Sequence, residues 1–277
     1  MMASMTSALR EQLITPHPER DGSFRWRGDG VSRIEGLSDA VFGFALALLV
    51  ASLGVPRTYA DLTHMLASFP AFAATFWMLY GVWSAQYKFF RRYGLEDRRT
   101  VTLNVVLLLV VVFYVYPLMF LYNTFIALWL GPLGAALHVQ PIVDQAREAQ
   151  RALQPSQWPA VMVVFAVGYC AVFVVFALLH RHALRCADDV ALDALERLQT
   201  RYAIREHLLN ASVAAFSAGI TLVLAYALRW SPGAAGIVGG MSYGLTGPVM
   251  SLHFRDVKRA RESLCAGGVT AASVGAS

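Results

Sequence analysis

Charge is scarce in this chain of 277 residues: Asp, Glu, Lys and Arg make up 15%, against about 25% in a typical soluble domain. Lysine is nearly absent, with only Lys88 and Lys258 among 23 basic residues. There are three cysteines, Cys170, Cys186 and Cys265, widely spaced and without a C-x-x-C pair, so no disulfide framework is implied. An early apolar core is missing too. The first 32 residues carry Glu11, Glu19, Asp21 and Asp29 among their arginines, unlike a cleavable signal peptide. These shortages exclude an ordinary soluble globule and a stapled secreted domain. The formal charge of +5 does not point to nucleic acid, because the basic residues interrupt apolar blocks and form neither a tail nor a single face.

Apolar residues fill the gap. They make up 57% of the chain, mean hydropathy is +0.50, and they fall in blocks near the ~20 residues that cross a bilayer. Candidate spans are 33–54, 66–90, 101–130, 159–181, 207–229 and 233–253. The reading is an all-α membrane protein with six transmembrane helices per chain: a 1–32 tail, a 33–254 membrane domain and a 255–277 tail. Nineteen of the 23 basic residues fall on the side shared by both termini, which the positive-inside rule makes cytoplasmic. A cell-membrane, multi-pass location follows.

Between the spans, Arg25-Trp26-Arg27 suits the headgroup level, where indole and guanidinium groups are at home. The longest external connection is 131–157, in which 142–153 has the pattern of a short amphipathic surface helix. On the inner side, 188–206 reads as a helical extension of the fourth span. Gly236, Gly240 and Gly244 recur every four residues, which puts three small positions on one face for close helix packing. The overlapping Gly240-Met241-Ser242-Tyr243-Gly244 matches G-x-S-x-G, but that chemistry needs a strained strand-to-helix elbow and a histidine base, and a glycine-rich span supplies neither. His180, His182, Cys186, His207 and His253 sit near span ends, yet H-x-H-x-x-x-C fits no standard zinc spacing. No enzyme, metal or cofactor is expected.

The first span carries the chemistry. Its uninterrupted apolar run, 40–53, is too short for a hydrocarbon core of ~30 Å at 1.5 Å per residue, so the helix must start earlier. Ser32 and Glu35 form an S-x-x-E capping box that opens it at Arg33. This places Arg33, Glu35, Ser38 and Asp39 between the headgroups and the edge of the hydrocarbon, where ionisable groups need partners or water. Arg33 and Asp39 are about 120° apart around the helix and cannot pair with each other. Partners must come from other helices, and Trp83, Gln86 and Asn104 are the polar candidates in the next two spans. Meanwhile Arg33, Leu37, Ala40, Phe44, Leu48 and Ala51 share one face. That stripe is either ordinary lipid-facing or packing surface, or the lining of a pore enclosed by several copies of the chain.

The segment Arg33-Ile34-Glu35-Gly36-Leu37-Ser38-Asp39 resembles the R-x-x-x-F-S-D signature of the transmembrane protein 175 family of potassium channels. In the second span, 83–90 is similar to that family's W-x-x-H-H-x-x-F, and Asn104 stands where its third span has an asparagine. The resemblance covers roughly 33–117. It implies a prokaryotic member: a homotetramer whose first helices line a central pore, self-associated in the lipid bilayer and passing potassium or another monovalent cation. It also implies a hydrophobic constriction at Phe44, Leu48 and Ala51, and a signature network of Arg33, Ser38, Asp39, Trp83, Gln86 and Asn104. Leu37 replaces the signature phenylalanine, Gln86 and Tyr87 replace paired histidines, and Ala47 stands at a position linked to selectivity, often threonine. The channel is therefore expected to be tighter, less selective or silent. A secondary transporter, or a non-conducting structural membrane protein, is the alternative; the second half lacks the matching motif that paired transporter repeats tend to show.

Overall fold

The computed structural model describes residues 24–28 and 31–274; the rest of the 1–32 tail lies outside the described residues. Helix α1 (Arg33–Ala51) begins at the capping box, with Ser32 accepting from the Glu35 backbone and the Glu35 side chain reaching back to Ser32 N at 2.8 Å. A second box, Thr58 with Asp61, starts the short α2 (Tyr59–Ala67). The sequence suggested one span from residue 66, but Pro70 near the start of α3 (Phe69–Tyr93) accompanies a 47° bend between α2 and α3. Helix α3 ends on Gly94, whose φ of +59° is left-handed. An added Cβ there would lie 3.1 Å from the Arg27 carbonyl oxygen, so both turn and packing favour glycine.

Helix α4 (Arg98–Ala136) is capped by Asp97. Its 39 residues span roughly 58 Å at 1.5 Å per residue, well beyond a ~30 Å hydrocarbon core. The connection expected at 131–157 is accordingly shorter, since 131–136 extends α4. Helix α5 (Gln140–Ala152) then folds back onto α4. Gly131 and Gly134 admit Ala146 and Ile142 so closely that a Cβ at either glycine would come within 2.7 Å of them. The amphipathic helix expected for the membrane surface therefore packs on protein along part of its length.

Helix α6 (Trp158–Arg185) and helix α7 (Ala194–Leu222, continued by a π turn at Val223–Ala227) pack against each other. The 188–206 segment differs from its sequence reading: α6 stops at Arg185, a turn passes through Ala191 with φ +49°, and an Asp193–Glu196 capping box starts α7. Residues 194–206 thus belong to α7, the helix of the fifth candidate span, and do not extend the fourth.

The last candidate span is interrupted, with α8 (Pro232–Ser242), a 3-10 turn at Tyr243–Leu245 and then α9 (Thr246–Val274). This takes Gly244 off the face of Gly236 and Gly240. A Cβ at Gly236 would meet Trp158 at 2.7 Å, one at Gly240 would meet Phe125 at 2.9 Å, and Gly244 faces open space. Among the described residues, four helical segments are long and apolar enough to cross a membrane, and the α2–α3 pair is a fifth if it counts as one bent span. The protein is an all-helical, multi-pass membrane protein. Its core joins α1, α3, α4 and α6 through Leu49, Phe89, Tyr93, Leu107, Val115 and Phe176.

Candidate functional site

The site is built where α1 crosses α3 and α4. Helical periodicity turns Glu35, Ser38, Phe42, Ala45 and Leu49 inward, so the Ser38 hydroxyl enters the seam directly below apolar Phe42, Ala45 and Leu49. Burying it without partners is costly. Ser38 Oγ donates to the Ile34 carbonyl at 2.8 Å and accepts from Gln86 Nε2 at 2.8 Å and Asn104 Nδ2 at 2.9 Å. Gln86 Nε2 also donates to Asn104 Oδ1. All three side chains are buried, Asn104 completely, and each comes from a different helix. One hydroxyl thereby fixes the rotation of α1 against both neighbours.

Asp39 lies beside this cluster but outside it. It is exposed, and its Oδ1 accepts from the Trp83 indole N–H at 2.8 Å. Trp83 stacks on Tyr87 with ring centroids 5.7 Å apart; the Trp26 ring meets Tyr87 edge-on, and Arg91 lies over the same ring at 5.3 Å. Arg33 does not join its neighbours: it is exposed and makes no side-chain hydrogen bond or ion pair among the described residues. Glu35, besides capping α1, sits 3.9 Å from Arg91 Nε, a contact that no local pattern announces. Residues 25–27 also make specific contacts within the subunit. Arg27 is drawn against buried Glu196, 2.6 Å away, and Trp26 packs on Tyr87.

With its inner face locked, α1 turns its stripe away from the subunit. Leu37 is 52% exposed and Phe44 56%; Arg33, Ala40, Ala47 and Ala51 are exposed and Leu48 is half-buried. The subunit itself thus leaves an apolar face on the helix that its polar seam holds most firmly.

The other sequence motifs find ordinary structural uses. Ser242 Oγ donates to the Gly239 carbonyl at 2.6 Å, so it closes a turn. His180 and His207 lie with ring centroids 4.9 Å apart, His182 is bonded to Asp97, and His253 packs beside Tyr202. Among the described residues no three His, Cys, Asp or Glu side chains converge as metal ligands.

Comparisons with known proteins point the same way as the first-helix motif. A family model described as the endosomal/lysosomal potassium channel TMEM175 matches residues 33–114. A protein of Marivirga tractuosa named as a potassium channel is 33% identical over 233 residues, which is 84% of this chain and 90% of that protein. A crystal structure of a variant of the potassium channel MtTMEM175, bound to a nanobody–MBP fusion, superposes with a TM-score of 0.73 at 32% identity. That match covers 87% of this chain and 99% of the other.

Proposed function

Since the chain belongs to the TMEM175 family of potassium channels, we propose that it forms a potassium-permeable pore in the cell membrane, as a homotetramer with α1 of every copy facing a central axis. The single observation that carries this reading is the orientation of α1. The Ser38–Gln86–Asn104 cluster holds one face inside the subunit and leaves Phe44 and Ala51 exposed outside it, with half-buried Leu48 between them. Around an axis, these side chains form successive apolar rings that seal by excluding water and conduct when wetted. Ala47 sits between them at the position tied to selectivity in the family. Six crossings per chain, the sixth being the broken α8–α9 segment, put both termini in the cytoplasm, in keeping with the basic residues on that side.

In this pore Ser38, Gln86, Asn104 and the Asp39–Trp83 pair are supports. They set how close α1 comes to the axis without touching the ion. The test is flux in liposomes reconstituted with purified protein, comparing potassium, sodium and a large organic cation under imposed gradients. Passive, non-saturating potassium flux is expected. Phe44→Ala is expected to assemble normally and to raise the flux; an assembled variant with unchanged flux overturns the pore assignment.

A further inference from the structure

A second polar concentration lies away from α1, at the ends of α4 and α6. A cavity of about 130 Å³ between these two helices is lined by Arg99, Arg181, His182 and Arg185, with Leu103 and Leu178. Arg181 and Arg185 are one turn apart on α6, a like-charge pair that works against the helix, and Arg99 in the first turn of α4 adds a third cation. None of these guanidinium groups has a hydrogen-bond or ion-pair partner among the described residues. The carboxylate at the rim, Asp97, is already engaged, accepting from Thr100 Oγ1 at 2.6 Å and contacting His182 Nε2 at 2.9 Å. His182 Nδ1 is buried and has no hydrogen-bond partner among the described residues. Three guanidinium groups thus gather around a cavity whose one adjoining carboxylate, Asp97, is turned to His182, Thr100 and the Arg99 backbone and not to them.

The apolar lining has a direction. Leu103 is one turn further along α4 than Arg99, and Leu178 is one turn before His182 on the antiparallel α6, so both lie roughly 6 Å deeper than the charged groups. Val106 and Val174, 40% and 37% exposed, continue the same surface inward. A cationic rim over an outward-facing aliphatic cleft matches a ligand that is anionic at one end and hydrocarbon at the other.

We propose that this cavity binds the phosphate headgroup of an anionic phospholipid from the leaflet in which the ends of α4 and α6 lie, with an acyl chain along Leu103, Leu178 and Val174. Arg99, Arg181 and Arg185 hold the phosphate and the two leucines hold the start of the chain. The site is independent of the pore reading, because its test measures lipid and not ions.

The experiment is native mass spectrometry of the full-length protein released from detergent and titrated with phosphatidylglycerol, with phosphatidylcholine of the same chains, or with inorganic phosphate. Wild type is expected to retain phosphatidylglycerol in preference to phosphatidylcholine, and millimolar inorganic phosphate is expected not to displace it. Each arginine near a membrane surface contributes about a fivefold gain in affinity for anionic lipid, so Arg99→Gln/Arg181→Gln/Arg185→Gln is expected to weaken binding roughly a hundredfold. The matching lysine triple, which keeps the charge, is expected to recover most of it. Substituting Arg57, Arg147 and Arg151, which lie elsewhere, is expected to leave binding unchanged. Equal retention of the two lipids by wild type overturns the proposal without any variant. Full displacement by inorganic phosphate overturns the lipid as occupant, and an undiminished preference in the folded glutamine triple overturns the site.

Discussion

Arg27 Nη2 donates to Glu196 Oε2 at 2.6 Å, and the Glu196 side chain is fully buried. The same carboxylate accepts from Arg27 Nη1, Arg25 N and Asp193 N, while Arg27 Nε bonds the Val190 carbonyl at 2.6 Å. A segment that precedes the first membrane helix is in this way tied to the start of α7. Through Arg27 N to the Arg91 carbonyl at 2.9 Å it is also tied to the end of α3.

Removing one partner of a buried, hydrogen-bonded ion pair strands the other, at a cost of about 3–5 kcal/mol. Arg27→Met is therefore expected to lower the thermal midpoint of the purified protein strongly. Arg27→Met combined with Glu196→Met is expected to be less damaging than Arg27→Met alone, because no buried charge is left unpaired. Melting of wild type and the two variants in one detergent, followed by circular dichroism, checks the order.

At the α1 seam the expected result is non-additivity. Asn104→Leu removes a donor to Ser38 and an acceptor of Gln86, and Ser38→Ala removes the oxygen that both amides reach. Either change leaves buried polar groups unsatisfied, at about 1–3 kcal/mol. The double variant is expected to lose less than the sum of the two, since both act on one network. Denaturation of the four species as a double-mutant cycle measures the coupling.

Much of this seam is legible in the sequence because burial in an apolar helix restricts what a polar side chain can do. Ser38, Gln86 and Asn104 are polar interruptions in apolar blocks, and they meet. The capping box of Ser32 and Glu35 is local, and it forms. Helical phase alone put Phe44 and Leu48 on a common face away from Asp39. The Arg27–Glu196 pair was out of reach: its members are 169 residues apart, and in the sequence each looks like an ordinary charge on a solvated segment. The interruption at 243–245 was hidden because small and apolar residues suit a straight span as well as a broken one. The 47° bend at Ser68 had a local sign in Pro70, but hydropathy runs smoothly across it.

Acid is expected to loosen the junction of α4 and α6. Burial works against the Asp97 charge, but hydrogen bonds from Thr100, His182 and Arg99 N outweigh it and hold the carboxyl below the usual carboxylate range. A depressed folded-state pKa contributes stability above the unfolded value, and that stability is lost as pH falls through the folded one. Stability should fall with acid on that limb, and Asp97→Asn should flatten the limb while lowering the plateau near neutrality. Thermal midpoints of both proteins between pH 2 and pH 7 decide it; parallel curves would mean that Asp97 has no part in the acid response.

Gly239 is the tightest point between α7 and α8. A Cβ built there would fall 1.8 Å from Thr221 Oγ1 and 3.3 Å from the Ser217 carbonyl oxygen, while Ser217 Oγ donates to the Gly239 carbonyl at 2.7 Å. Gly239→Ala must therefore push α8 outward or force Thr221 from its bond to the Ser217 carbonyl at 2.7 Å. Overpacking of this kind costs about 1–3 kcal/mol. Thr221→Ala removes the atom in closest conflict but leaves its Cβ at 3.2 Å, so it is expected to recover part of the lost stability and not all of it. At Gly244, where an added Cβ meets nothing within 4 Å, alanine is expected to be nearly neutral. A melting series over Gly239→Ala, Gly239→Ala/Thr221→Ala and Gly244→Ala separates tight contact between the two helices from a general intolerance of side chains in this glycine-rich segment.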